Sequence, residues 1–124
     1  MSDNPRIMIV DDEEMVRMNL EAFLEDEQFA VLGCETGEEA LQQIESFDPH
    51  LAIVDMRLPG MDGNEFILEI KTFRPDIKII IHTGSTEYSL PAALISLGIT
   101  SEHILYKPLS DMSVIAELAR QLLD

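Results

Sequence analysis

Tryptophan is missing from this sequence, cysteine occurs once, and basic side chains number eight against 24 acidic ones. A single thiol closes no internal disulfide, so nothing points to an oxidising compartment. Cys34 lies in an apolar stretch with no basic neighbour to ionise it, which makes it a packing residue and not a nucleophile. The formal charge of −16 repels phosphate backbones and anionic lipid, which argues against direct nucleic-acid or membrane binding by this segment. The same acidity suits a metal cation or a basic partner, although its commonest meaning is a well-solvated surface. No apolar run approaches the roughly 20 residues of a membrane span. The opening Met1 to Arg6 has neither the basic region nor the apolar core of a secretory leader. The expectation is a cytoplasmic protein, one domain over 1–124, long enough to bury a core of its own.

What is present is a set of short apolar runs that end in polar residues. Arg6 to Val10 stops at Asp11 and Asp12, and Leu51 to Val54 stops at Asp55. Neither run alternates with polar residues, which is the pattern of strands covered on both faces. Between them the spacing becomes helical, with Val16, Leu20, Phe23 and Leu24 on one face. Phe29 to Leu32 reads as a second strand, and Thr36 to Glu39 as a capping box for a helix with Ala40, Leu41 and Ile44 inward. Asp62 and Glu65 offer a cap for a third helix carrying Phe66, Ile67 and Ile70, which Arg74-Pro75 ends. Ile77 to Thr83 is a fourth β-branched run, followed by a polar loop from Gly84 to Ser89. Pro91 opens a fourth helix through Leu94 and Leu97, and Gly98 stops it. His103 to Tyr106 is a fifth strand. A last helix from about Ser110 turns Val114, Ile115, Leu118 and Leu122 to the core.

Five strands alternating with five helices predict a doubly wound, flavodoxin-like α/β domain with a parallel sheet in the order 2-1-3-4-5. In that order the carboxyl ends of the strands share one edge. Asp11 and Asp12, Asp55, Thr83 and Lys107 all fall there. Taken singly, each has a plain reading: Asp55 closes a strand, Asp12 caps a helix, Thr83 is a strand-end hydroxyl and Lys107 a surface charge. Taken together, oxygen ligands in a small cluster suit Mg²⁺. A carboxylate is also a competent nucleophile toward phosphorus, and Lys107 and Thr83 supply a cation and a donor for the transferred group.

Four stretches in this order, Ile9-Val-Asp-Asp12, Val54 to Gly63, His82-Thr-Gly84 and Tyr106-Lys-Pro108, resemble the signatures of CheY-like receiver domains of two-component response regulators. The resemblance spans the whole chain. It implies a phosphorylation-dependent signalling switch and not an enzyme with a product, with Asp55 accepting a phosphoryl group from a histidine kinase or phosphotransfer protein. It implies that Asp12, Asp11 through water, Asp55 and the Arg57 backbone carbonyl hold Mg²⁺. Lys107, across a cis bond to Pro108, would pair with the phosphoryl group, and Thr83 would move to bond it. Arg57 and Ser85 occupy the positions that tune self-dephosphorylation, and the length of Arg57 suits it to cover the site and slow water attack. Downstream, an effector protein or effector domain would read the surface of helix four, strand five and helix five, through which a dimer is also possible.

The chain departs from that pattern at Ile104, where the family carries an aromatic that follows the Thr, and in a longer span from Gly98 to Lys107. Tyr106, on the same strand face by the period of two, and His103 are candidates to replace it, each with a plain packing or edge role as the alternative. His82 reads as a strand-end packing residue. His50 sits in a turn. Two competing functions share the architecture. An aspartyl-nucleophile phosphatase needs a second carboxylate two residues after the nucleophile, where this chain has Arg57. A flavin-binding domain needs a phosphate-cradling first loop, where Asp11, Asp12, Glu13 and Glu14 repel phosphate.

Overall fold

In a computed structural model, residues 4–124 are described. Five strands, β1 (Arg6–Val10), β2 (Ala30–Cys34), β3 (Leu51–Val54), β4 (Lys78–Thr83) and β5 (Ile104–Tyr106), form one parallel sheet in the order β2-β1-β3-β4-β5. The helices are α1 (Glu14–Asp26), α2 (Gly37–Phe47), α3 (Gly63–Phe73), α4 (Ala92–Ile95) and α5 (Ser113–Leu123). This is the flavodoxin-like arrangement that the alternating pattern predicts.

Strand alternation divides the core in two. On β1, Ile7 and Ile9 pack with Leu20 and Leu24 of α1 and Ile115, Ala116 and Ala119 of α5. Met8 and Val10 face the opposite layer, with Ala40 and Ile44 of α2, Phe66, Ile67 and Ile70 of α3, and Leu94 of α4. A strand apolar at every position therefore has a use for every side chain, which explains why the central strands show no polar alternation.

Local chemistry sets the helix starts. Thr36 accepts from the Glu39 N–H at 3.0 Å to begin α2. Asp62 and Glu65 form a reciprocal box at α3, with bonds of 2.9 and 3.3 Å. Gly63 follows Asp62 because no side chain fits: a Cβ there would lie 2.5 Å from the Asp55 carbonyl oxygen and 2.7 Å from the Met56 Cα.

Several boundaries differ from the sequence expectations. The second strand runs from Ala30 to Cys34 and not from Phe29 to Leu32, because it pairs residue for residue with Arg6 to Val10. Regular α4 ends at Ile95. The chain then closes with Gly98 N–H to Ile95 C=O at 2.9 Å and Ile99 N–H to Leu94 C=O at 3.3 Å. With Gly98 at φ +89°, this is a Schellman closure, so the glycine ends the helix as expected. The long connection to Lys107 is absorbed in a 3-10 turn at Ser101–His103. Thr100 N–H donates to His103 Nδ1 at 2.8 Å, which takes His103 out of the fifth strand. The last helix begins at Ser113 and not Ser110, since the Asp111 carboxylate accepts from both the N–H and the hydroxyl of Ser113. Val114 is 46% exposed and not inward. At about 100° per residue it lies well off the face shared by Ile115, Ala116 and Ala119.

Gly63→Ala is expected to lower stability by about 1–3 kcal/mol, because two of the atoms it would strike, the Asp55 carbonyl oxygen and the Met56 Cα, are backbone and cannot swing aside as the Met56 methyl can; urea unfolding of the two proteins checks this, and equal midpoints would show that α3 can shift without cost.

Candidate functional site

Sheet register builds the site. Val10 is paired with Cys34 and Val54, and Val54 with Ile81. The ladder runs one bond past the strands: Asp11 N–H donates to Cys34 C=O at 3.1 Å, Asp55 N–H to Val10 C=O at 2.9 Å, and Lys107 N–H to Thr83 C=O at 2.8 Å. Three site residues are thus fixed by backbone hydrogen bonds to strand ends, while their side chains rise off the carboxyl edge of the sheet.

Asp11 and Asp55 are buried, at 2% and 4% exposure, and Asp12 is exposed. Carboxylate oxygens of the three lie within 4.8 Å of one another. Between them sits the Lys107 ammonium, 2.9 Å from Asp11, 3.2 Å from Asp55 and 2.7 Å from Glu13. Burial by itself would lower the Lys107 pKa. Hydrogen bonds to Glu13 and Asp11, with the charges of Asp11 and Asp55, outweigh it and hold the ammonium above the ordinary lysine range. For Asp55, burial and the Asp11 charge outweigh the pull of Lys107 and the Arg57 N–H bond, so its carboxyl is held above the usual carboxylate range. Such a site takes up positive charge readily. Three oxygen donors at this separation, two of them shielded from water, are a donor set that fits a hard divalent cation such as Mg²⁺.

The structure brings Asp11, Asp12, Asp55 and Lys107 together. Arg57 follows at once, its N–H donating to Asp55 Oδ1 at 3.3 Å and its side chain exposed. Its loop is held in place from α2, where the Glu38 carboxylate accepts from the Met61 N–H at 3.1 Å. Gly60, at φ +72°, leaves room for that carboxylate. Thr83 is fully buried and its hydroxyl accepts from the Ser85 N–H at 3.1 Å. The Lys107–Pro108 bond is cis. Ile104 is packed into the core layer on the α3 side. Tyr106 pairs with Thr83 in the sheet and is 41% exposed.

A family model for the response regulator receiver domain matches residues 7–119. The chain belongs to this family. Over 95% of its length the receiver domain is 34% identical to a protein-glutamate methylesterase/protein-glutamine glutaminase of Rhodopseudomonas palustris, of which it covers 32%. The chain spans about a third of the length of several curated relatives it matches. A CheY-like receiver domain from Methanospirillum hungatei has a structure similar at TM-score 0.81 and 30% identity, covering 97% of this chain and 94% of that one. The response regulator TrrA of Thermotoga maritima, solved in complex with Mg²⁺ and BeF, is similar at TM-score 0.79 and 30% identity, over 96% and 99% of the two chains. Receiver domains are phosphorylation-dependent signalling switches, and the acidic cluster of this one is of the kind through which they bind Mg²⁺. Among the described residues, no helix is long and apolar enough to cross a membrane.

Contacts that no sequence motif marks also shape the site and its surroundings. Glu13 makes the shortest contact to Lys107, and as the third of four consecutive acidic residues it gave no signal of its own. Arg17, one helical turn on, donates to the Asp11 backbone carbonyl at 2.9 Å. Tyr88 is packed against the same buried cluster as Ile104, and its hydroxyl donates to Asn64 at 2.8 Å. Cys34 is buried, and burial, then the Glu39 charge, pushes its thiol to about 12, as an inert packing residue requires.

His82 follows Ile80 by two residues and so points to the same side of the sheet. It is 4% exposed, and neither ring nitrogen has a hydrogen-bond partner among the described residues. Burial and the Lys107 charge lower its pKa from 6.5 to about 4, so it is neutral at pH 7. Between these values the unfolded chain binds a proton that the folded chain refuses, so stability falls as pH drops from 6.5 toward 4. His82→Leu is expected to stabilise the metal-free protein by about 1 kcal/mol or more at pH 7 and to flatten this pH dependence. Denaturation midpoints across that pH range check it; a destabilised variant with an unchanged slope would mean that the ring is satisfied.

Proposed function

We propose that this receiver domain takes a phosphoryl group from a histidine kinase or phosphotransfer protein onto Asp55, and that Mg²⁺ at Asp11, Asp12, Asp55 and the Arg57 carbonyl is required for it. The observation that carries this is the placement of Asp55, a buried carboxylate at the carboxyl end of β3, between an ammonium and two further carboxylates. Mg²⁺, when bound, neutralises phosphoryl oxygens and lines up attack at phosphorus.

The chain's own residues do the rest. An Asp55 carboxylate oxygen attacks phosphorus while the donor's bond to phosphorus breaks, leaving an acyl phosphate on Asp55 and the electron pair on the donor group. Lys107 already touches that carboxylate and offers its charge to the incoming oxygens. Burial of Asp11 and Asp55 keeps bulk water from competing. Thr83, whose hydroxyl accepts from the Ser85 N–H, donates its own O–H to a phosphoryl oxygen, and with the Ser85 bond kept this movement draws the loop after β4 toward the site. Because Thr83 and Tyr106 are paired in the sheet and Ile81 with Ile104, that movement reaches β5 through Ile104 and Tyr106, and phosphorylation selects between two arrangements.

The output surface is α4, β5 and α5, where Ile95, Leu97, Tyr106 and Val114 are exposed apolar side chains. An effector protein, an effector domain or a second copy in a phosphorylation-dependent dimer suits it. Self-dephosphorylation is set by Arg57 and Ser85 beside the acceptor, with the exposed Arg57 side chain long enough to cover the acyl phosphate.

Incubation with acetyl phosphate and Mg²⁺ is expected to add a single phosphoryl mass, absent without Mg²⁺ and in Asp55→Asn. In Arg57→Ala the adduct should decay several-fold faster. Addition that persists in Asp55→Asn overturns the assignment of the acceptor, and an unchanged half-life in Arg57→Ala removes the role of the arginine.

A further inference from the structure

Lys107 is saturated. An ammonium has three N–H donors, and Asp11, Glu13 and Asp55 each stand within 3.2 Å of it. A phosphoryl group on Asp55 inherits the donor now given to the Asp55 oxygen; for the ammonium to serve a second phosphoryl oxygen as well, Asp11 or Glu13 must release it. The three are not equivalent. Asp11 is 2% exposed and pinned, because its Oδ1 accepts from the Glu13 N–H at 2.9 Å. Asp55 carries the phosphoryl group and cannot leave. Glu13 has a side chain 58% exposed, is the N-cap residue just before α1, and can swing into water without breaking a sheet or core contact. It is also the nearest of the three, at 2.7 Å.

We propose that Glu13 is a positioning residue that acts through Lys107: an internal competitor that holds the ammonium in the resting state and is displaced when a tetrahedral anion binds beside Asp55. This rests on the reading of Asp55 and Lys107 above and adds a determinant of how tightly the site holds the phosphoryl group. The competition is local. A shorter acid at the same position keeps the negative charge near the site but cannot reach the ammonium. Contact competition and general repulsion of an anion therefore make opposite forecasts for Glu13→Asp.

Calorimetric titration with beryllium fluoride at saturating Mg²⁺ separates them, with Mg²⁺ affinity measured alone in each protein. Glu13→Gln should bind beryllium fluoride roughly three- to ten-fold more tightly than the native protein, the range of a partly exposed charged pair. Glu13→Asp should match Glu13→Gln, with Mg²⁺ affinity changed less than the beryllium fluoride affinity in both. Unchanged or weaker fluoride binding in Glu13→Gln overturns the inference, as does native-like binding in Glu13→Asp. If the native protein binds no beryllium fluoride, the reading of Asp55 falls and this inference with it. If the native protein binds and Glu13→Gln matches it, only the role of Glu13 falls.

Discussion

One ammonium holds this site together. Lys107 lies among Asp11, Glu13 and Asp55 in a chain of net charge −16, and two of those carboxylates are nearly inaccessible to water. Buried like charges at this spacing repel and cost several kcal/mol unless a cation lies between them. The cation comes from the far edge of the sheet, since β5 reaches the carboxylates only through β4 and β3. Strand order, register and the single backbone bonds that extend the ladder to Asp11, Asp55 and Lys107 are therefore all conditions of the site's electrostatics.

The same arrangement suits a switch. The cluster is more acidic than one lysine can neutralise, so its donor set favours a divalent cation, and in the proposed reaction such a cation would let a phosphoryl group approach. The parts that set geometry are rigid: strand ends, the α3 start wedged against Asp55 through Gly63, and the Glu38 bond to the loop after Arg57. In the proposed switch the parts that respond are the rim residue Glu13 and the loop after Thr83, which among the described residues is tied near the site by the Thr83–Ser85, Tyr88–Ser85 and Tyr88–Asn64 bonds. Placing rigidity beneath Asp55 and freedom around it would let the proposed covalent change there alter a distant surface.

Much of this was legible in the sequence for simple reasons. Unalternating apolar runs mean strands buried on both faces, and in a parallel sheet their last residues share an edge, so Asp11, Asp55, Thr83 and Lys107 were assembled before any contact was known. Boundaries were harder, because local side-chain bonds overrode periodicity: Asp111 moved the start of α5, His103 was drawn into the turn capped by Thr100, and Val114 proved to be on the outer face. Glu13 was invisible for a different reason. One acidic residue in a run of four carries no signal, and only the position of Lys107 in space distinguishes it. Tyr88 escaped because its partners, Asn64 and the cluster around Ile104, are distant in sequence.

The most direct test of Lys107 as the counter-charge is urea denaturation of Lys107→Met at pH 7.5 in chelator, a change that keeps the packed stem and removes the charge. The account expects a loss of about 2–4 kcal/mol, largely recovered when Asp55→Asn is added to the same chain. A Lys107→Met protein as stable as the native one, or a loss that Asp55→Asn does not relieve, would contradict it.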